Sequence, residues 1–184
     1  MSFSSNVKAE LCRQPIGRRT EALAEAYGVL LYCNTFTGSA VRVVTESRDF
    51  AERLPKLFRK AFGVGFDATP DPAGPGKLLL AIEQKDKLEK LLTALDMRAD
   101  GEVALHVNFG LLEEEPEQLA FFRGAFLAGG SVTDPAKRYH LELATPHLKV
   151  SAEASVLLRE VGFSAKETTR AGNSILYFKQ SDTI

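Results

Sequence analysis

Apolar positions along this 184-residue chain follow helical and strand spacings, and the same order of elements occurs twice. In the first half, Thr20–Tyr32 is small and apolar nearly all round, which predicts a buried helix. Ser39–Glu46 is β-branched and alternating, which predicts a strand with Arg42, Val44 and Glu46 on one side and Val41, Val43 and Thr45 on the other. Arg48–Phe62 places Phe50, Leu54, Leu57, Phe58 and Phe62 at helical spacing, with Pro55 expected to kink the helix or mark its first turn. Gly63 ends it. A short strand is predicted at Val64–Ala68, turn residues at Thr69–Gly76, a strand at Lys77–Glu83 and a helix at Lys85–Leu95 carrying Leu88, Leu91, Leu92 and Leu95 inward.

Periodicity fades between Asp96 and Glu117, where the acidic run Glu113–Glu115 ahead of Pro116 reads as an exposed linker. The order then restarts, with an all-round apolar helix at Gln118–Gly130, a strand at Arg138–Thr145 and a helix at Leu148–Val161. Gly162 stops that helix, and strands at Phe163–Thr168 and Ser174–Lys179 flank a turn at Arg170–Asn173. Landmarks recur about a hundred residues apart: Gly28 with Gly124, Thr45 with Thr145, Phe62-Gly63-Val64 with Val161-Gly162-Phe163. This is an internal duplication. Ala24, Ala26 and Gly28 in one helix match Gly124, Ala125, Ala128 and Gly129 in the other, small residues that let two backbones approach. The expected fold is an α+β pseudodimer of two αββαββ repeats, with a saddle-shaped antiparallel sheet face left open. The expected divisions are an N-terminal arm (1–19), a first repeat (20–97), an acidic linker (98–117) and a second repeat (118–184).

Charge changes this picture locally. The net charge of −1 hides ten Lys/Arg against six Asp/Glu in residues 1–60 and seven against five in residues 137–184, with the acidic excess between them. Phosphate binding needs local rather than total positive charge, so the two basic blocks could share a face. No apolar run approaches the ~20 residues needed to cross a bilayer, so no membrane partner is expected. The two cysteines, Cys12 and Cys33, make no disulfide framework, and a cytoplasmic setting follows. His106, His140 and His147 lack metal-ligand spacing with each other or with the cysteines. Gly63-Val64-Gly65 and Pro75-Gly76-Lys77 fall short of the dinucleotide and phosphate loops, so neither metal nor cofactor is expected.

Two stretches carry a resemblance. Gly124-Ala-Phe-Leu-Ala-Gly-Gly-Ser131, with Ala128, Gly130 and Ser131 at its core, resembles the second motif of the LAGLIDADG homing endonucleases, and Gly28-Val-Leu-Leu-Tyr-Cys-Asn-Thr35 aligns in the same register as the first. In that family the acid before the closing glycine of each motif ligates a divalent metal, and the pair drives phosphodiester cleavage. Those positions are Cys33 and Gly129 here, and neither offers the hard carboxylate oxygens that Mg²⁺ requires. The opening Ser2-Phe-Ser-Ser-Asn-Val-Lys-Ala-Glu-Leu11, the block Phe122–Pro135 and Tyr139-His-Leu-Glu142 further resemble WhiA-type sporulation and cell-division transcriptional regulators. That resemblance implies a bacterial DNA-binding regulator, nucleoid-associated, whose degenerate endonuclease domain precedes a helix-turn-helix domain absent from this sequence.

The expectation is therefore a non-enzymatic domain making accessory contacts with DNA, weak on its own, or with other regulatory proteins. Strand alternation nominates Arg42, Arg138, His140, Tyr177 and Lys179 for the open sheet face, with Glu46 and Glu142 opposing phosphate there. Lys8, Arg13, Arg18 and Arg19 form the densest basic stretch, read as a phosphate-contacting arm or a solvated turn. Two alternatives stand: a protein-interaction module without DNA contact, and a nuclease using displaced acids such as Asp134 or Glu142.

Overall fold

A computed structural model describes residues 2–71, 74, 76–97, 105–181 and 183–184. Its centre is a pair of helices, α2 (Arg19–Tyr32) and α5 (Glu115–Gly129), one from each repeat. Their backbones touch. A Cβ placed on Gly28 would lie 2.1 Å from the Phe121 carbonyl oxygen, and one on Gly124 would lie 2.0 Å from the Glu25 carbonyl oxygen. Any side chain at either position would push the helices apart. Ala24, Ala26, Val29 and Ala125 around them are fully buried.

A charged cluster sits within this layer. Glu25, about 1% exposed, receives two hydrogen bonds of 2.8 Å from Arg53 and a third from Arg123 of α5. Arg53 belongs to α3 (Arg48–Phe62) and also donates to the carbonyls of Cys12 and Gln14. These carbonyls end and follow α1 (Phe3–Cys12), which is capped by Ser2 and makes the N-terminal arm helical. One carboxylate thus ties together segments from α1, α2, α3 and α5.

Each repeat carries one antiparallel sheet. The first contains β1 (Thr35–Phe36), β2 (Val41–Thr45) and β3 (Leu78–Ile82) in that order. The second contains β4 (Gly130–Val132), β5 (Leu141–Thr145), β6 (Lys166–Arg170) and β7 (Asn173–Phe178) in the order β4-β5-β7-β6. Val41, Val43, Leu78, Leu80, Leu143, Leu176 and Phe178 turn inward, against α3 and α6 (Leu148–Glu160). The Thr145 hydroxyl donates to the Leu31 carbonyl at 2.8 Å, fastening the second sheet to the first repeat's central helix.

Several boundaries differ from those predicted. Val64–Ala68 is not a strand: Val64 is buried and Phe66 packs on Phe58 at 4.7 Å, so core packing displaces ladder pairing and only an Ala68–Ala81 bridge remains. The acidic run belongs to a helix start rather than to a linker. Glu114 caps α5 in a box with Glu117 and Pro116 sits in the first turn, where carboxylates meet the positive end of the helix dipole. The rest of the expected linker, residues 98–104, lies outside the described residues. β5 begins at Leu141 because Asp134 accepts the backbone N–H groups of Lys137 and Arg138 in a turn, which leaves Arg138 outside the strand. β6 starts three residues later than expected because Gly162 (φ 97°) lets Phe163 bond back to Leu158. Pro55 lies well inside α3, past its first turn, and the helix runs through it.

The repeats are closed unequally. In the first, α4 (Lys85–Ala94) buries Leu88, Leu91 and Leu92 against the core. In the second, no described helix does this, and a groove of about 530 Å³ lies between Leu11 of α1 and Leu119, Phe122, Phe126, Leu158 and Phe178.

Because the helix contact is backbone against backbone, Gly28→Ala and Gly124→Ala are each expected to cost about 3 kcal/mol or more, measured as a shift of the urea unfolding midpoint at constant slope.

Candidate nucleic-acid interface

The two motif ends lie where α2 and α5 run into their sheets. Cys33 caps α2 and is buried, and its single S–H is shared between the carbonyls of Leu30 and Thr35, each 3.3 Å away. Burial pushes this thiol up to about 12, so it stays protonated. Gly129 is held more tightly still. A Cβ there would lie 2.5 Å from the Ala144 carbonyl oxygen and 3.0 Å from that of Tyr32. The metal acids of the homing-endonuclease pattern therefore have one position filled by a buried neutral thiol and the other closed to side chains. Among the described residues no group of three His, Cys, Asp or Glu could hold a metal ion. These residues do not fit a divalent metal, and no cleavage step can be routed through one.

The sheet faces turned away from the helices differ between the repeats. On the first, Arg42 is paired with Glu83 at 2.9 Å, and Leu79 is 44% exposed. On the second, register places Ser131, Glu142 and Tyr177 across one row with Lys166 beyond them. The His140 ring stacks on Tyr177 at 5.9 Å, and the Lys179 ammonium lies 5.4 Å from the same ring on the strand's continuation. Glu142 accepts from His140 Nε2 at 2.9 Å and from Arg170 at 2.5 Å. Burial would raise the Glu142 carboxyl, but the Arg170 and His140 hydrogen bonds outweigh it and hold the group below its ordinary value.

The other expected residues lie elsewhere. Arg138 is exposed in the β4–β5 turn. Lys8 lies over the Phe126 ring of α5 at 5.7 Å, and Arg13 lies beside Asp49, Glu52 and Lys56 of α3. Arg18 and Arg19 are exposed where α2 begins, a full fourteen-residue helix away from Cys33. At 1.5 Å per residue that is about 20 Å along the helix axis. Glu46 is exposed just past the end of β2. Asp134 accepts the Ala136 N–H in an exposed turn.

Lys166 and Arg170 were not among the predicted face residues. The strand was expected to end at Thr168, which put Arg170 in the turn. The signal that could have recovered it is Ala171-Gly172, two residues at positive φ that form a hairpin turn and make Arg170 the last strand residue.

This arrangement, two sheet-bearing repeats around a close-packed helix pair, is the LAGLIDADG fold of the homing endonucleases. The I-DmoI homing endonuclease in complex with DNA and Mn superposes with a TM-score of 0.58 at 15% identity, over 87% of this chain and 90% of its own. Full-length DUF199/WhiA from Thermatoga maritima gives 0.77 at 20% identity, over all of this chain and 59% of its own. Residues 118–184 match the family model of the WhiA LAGLIDADG-like domain. Along its full length the chain is 30% identical to the probable cell division protein WhiA of Ruminiclostridium cellulolyticum and 31% identical to that of Alkaliphilus oremlandii. It spans 61% and 62% of those two proteins. The chain is thus similar along its whole length to WhiA proteins, its second repeat matches the WhiA LAGLIDADG-like domain, and the relatives that it matches are named for cell division. Among the described residues, no helix is long and apolar enough to cross a membrane.

Gly129→Asp, alone or with Cys33→Asp, is expected to lower stability and to produce no Mg²⁺- or Mn²⁺-dependent nicking of supercoiled plasmid, because the added carboxylate has no room beside Ala144. The lowered Glu142 carboxyl contributes stability that is fully present above its unfolded pKa near 4.5 and is lost as pH falls through the lower folded value. The difference in urea midpoint between wild type and Glu142→Gln should therefore be largest at neutral pH and shrink below about pH 4.5.

Proposed function

We propose that this chain is the non-cleaving, DNA-contacting domain of a WhiA-type transcriptional regulator of cell division and sporulation, acting in the cytoplasm on the nucleoid. The observation that carries this reading is the contrast between its two inherited surfaces. The metal-acid position at Gly129 is sterically closed, while the second sheet's open face keeps His140, Lys166, Arg170 and Lys179 around Tyr177. The lysines and Arg170 suit a phosphate backbone, and the surface offers few groups for reading base edges, so contact is weak and largely independent of sequence. Sequence reading belongs to the helix-turn-helix domain that the family resemblance implies. The I-DmoI homing endonuclease, which shares this fold, has been solved in complex with DNA, which supports DNA as the partner class.

A second reading applies to the first sheet. Its open face pairs Arg42 with Glu83 and exposes Leu79, a surface better suited to a protein partner than to phosphate.

Fluorescence anisotropy with a short duplex at 50–200 mM salt tests the assignment. Lys166→Ala/Lys179→Ala should weaken binding and flatten the slope of log K against log salt by about two. Binding that ignores salt, or that survives this double substitution unchanged, would remove DNA as the partner of this face.

A further inference from the structure

On the second sheet's open face, the strand registers place one carboxylate, Glu142, among four cationic or protonatable side chains, His140, Lys166, Arg170 and Lys179. Glu142 is mostly covered, its side chain being 13% exposed, whereas that of Arg170 is 64% exposed. Both carboxylate oxygens are engaged: Oε1 takes Arg170 Nη2, and Oε2 takes His140 Nε2 at 2.9 Å with Arg170 Nη1 at 3.5 Å.

The Arg170 contact is long in sheet terms. Arg170 pairs with Asn173, whereas Glu142 pairs with Tyr177, four residues further along β7. The arginine must therefore fold back diagonally across β7. Ile175 lies between those two rows on the same face and is about 1% exposed, although no described helix packs on this side. Its burial fits the aliphatic stem of Arg170 lying over it. The guanidinium, with donors matched to a phosphate's oxygens, is thus folded down onto an internal anion. His140 is likewise fixed between that anion and the Tyr177 ring.

We propose that Glu142 is a built-in counter-anion that occupies Arg170 and His140, so that a nucleic-acid phosphate reaches them only by displacing its carboxylate. This rests on the DNA-contact reading above and adds to it the residue that sets the strength of that contact. The face is held weak by design of its own sequence, and Lys166 and Lys179 are left as the first points of attachment.

Duplex binding and retention on heparin, a sulfated polyanion, test the proposal, with far-UV circular dichroism verifying the fold of each variant. Glu142→Gln should tighten duplex binding about five- to tenfold at 0.1 M salt and steepen the salt slope by about one, the effect of one added phosphate contact. Glu160→Gln removes the same charge from the exposed end of α6 and should change affinity less than twofold. In a double-mutant cycle, Arg170→Ala should cost at least threefold more in the Glu142→Gln background than in wild type. Equal costs in the two backgrounds, or equal gains from Glu142→Gln and Glu160→Gln, would overturn the proposal, since Glu142 would then be one surface charge among many. If no variant binds duplex, the DNA reading fails by itself. Heparin then decides this one: later elution of Glu142→Gln than of Glu160→Gln supports it, and identical elution overturns it.

Discussion

Two helices meeting backbone to backbone set the terms for the rest of this molecule. At Gly28 and Gly124 the approach leaves no room for a Cβ, and the contact is reciprocal, each glycine facing a carbonyl of the opposite helix. That closeness brings the C-terminal ends of α2 and α5 side by side and positions one sheet beside each. It also puts Glu25 within reach of both Arg123 on the partner helix and Arg53 on α3. A buried ion cluster is poor evidence of net stability, because desolvation offsets much of the attraction. Its value here is geometric: the Arg53 guanidinium has a single arrangement that satisfies Glu25, Cys12 and Gln14 together, and this fixes where α1 lies.

The same close packing fills the ends of the helix pair. Gly129 is walled in by the carbonyls of Ala144 and Tyr32, and next to them Thr145 bonds across to Leu31. The second sheet thereby draws in against the first repeat's helix, taking the space in which a carboxylate and its metal would stand. Cys33 on the other side is a buried donor, hydrogen-bonded to local carbonyls. The centre has become packing, and the polar groups of interest have moved out to the sheet surfaces.

Those surfaces also depart from the twofold plan. The first sheet pairs its exposed arginine with a glutamate just past the end of the neighbouring strand, and the second gathers cations round an aromatic ring with one carboxylate among them. The extra strand β6 makes the difference, since it supplies Lys166 and Arg170. The matching stretch of the first repeat turns into the core through Val64 and Phe66, and contributes only the bridge at Ala68. Duplicated sequences thus share a helix pair while presenting different chemistry on the outside.

Hydrophobic spacing by itself determined α2 to α6, the duplication and the α+β class, because a buried face must recur at the period of the element that carries it, whereas α1 was read only as an arm. Arg48–Phe62 is a helix over the predicted residues, with Gly63 in the left-handed conformation that ends it. The family motifs, read as residues, pointed to Cys33 and Gly129 as the positions where that resemblance expects acids. Tertiary structure decided the remainder. Whether Val64–Ala68 paired depended on Phe58 being there to receive Phe66. Whether position 129 could ever hold an acid depended on a carbonyl in β5, and the partners of Arg170 depended on a diagonal reach across β7. These are contacts between residues distant along the chain, and a local pattern carries no record of which distant atoms will fill the space beside it.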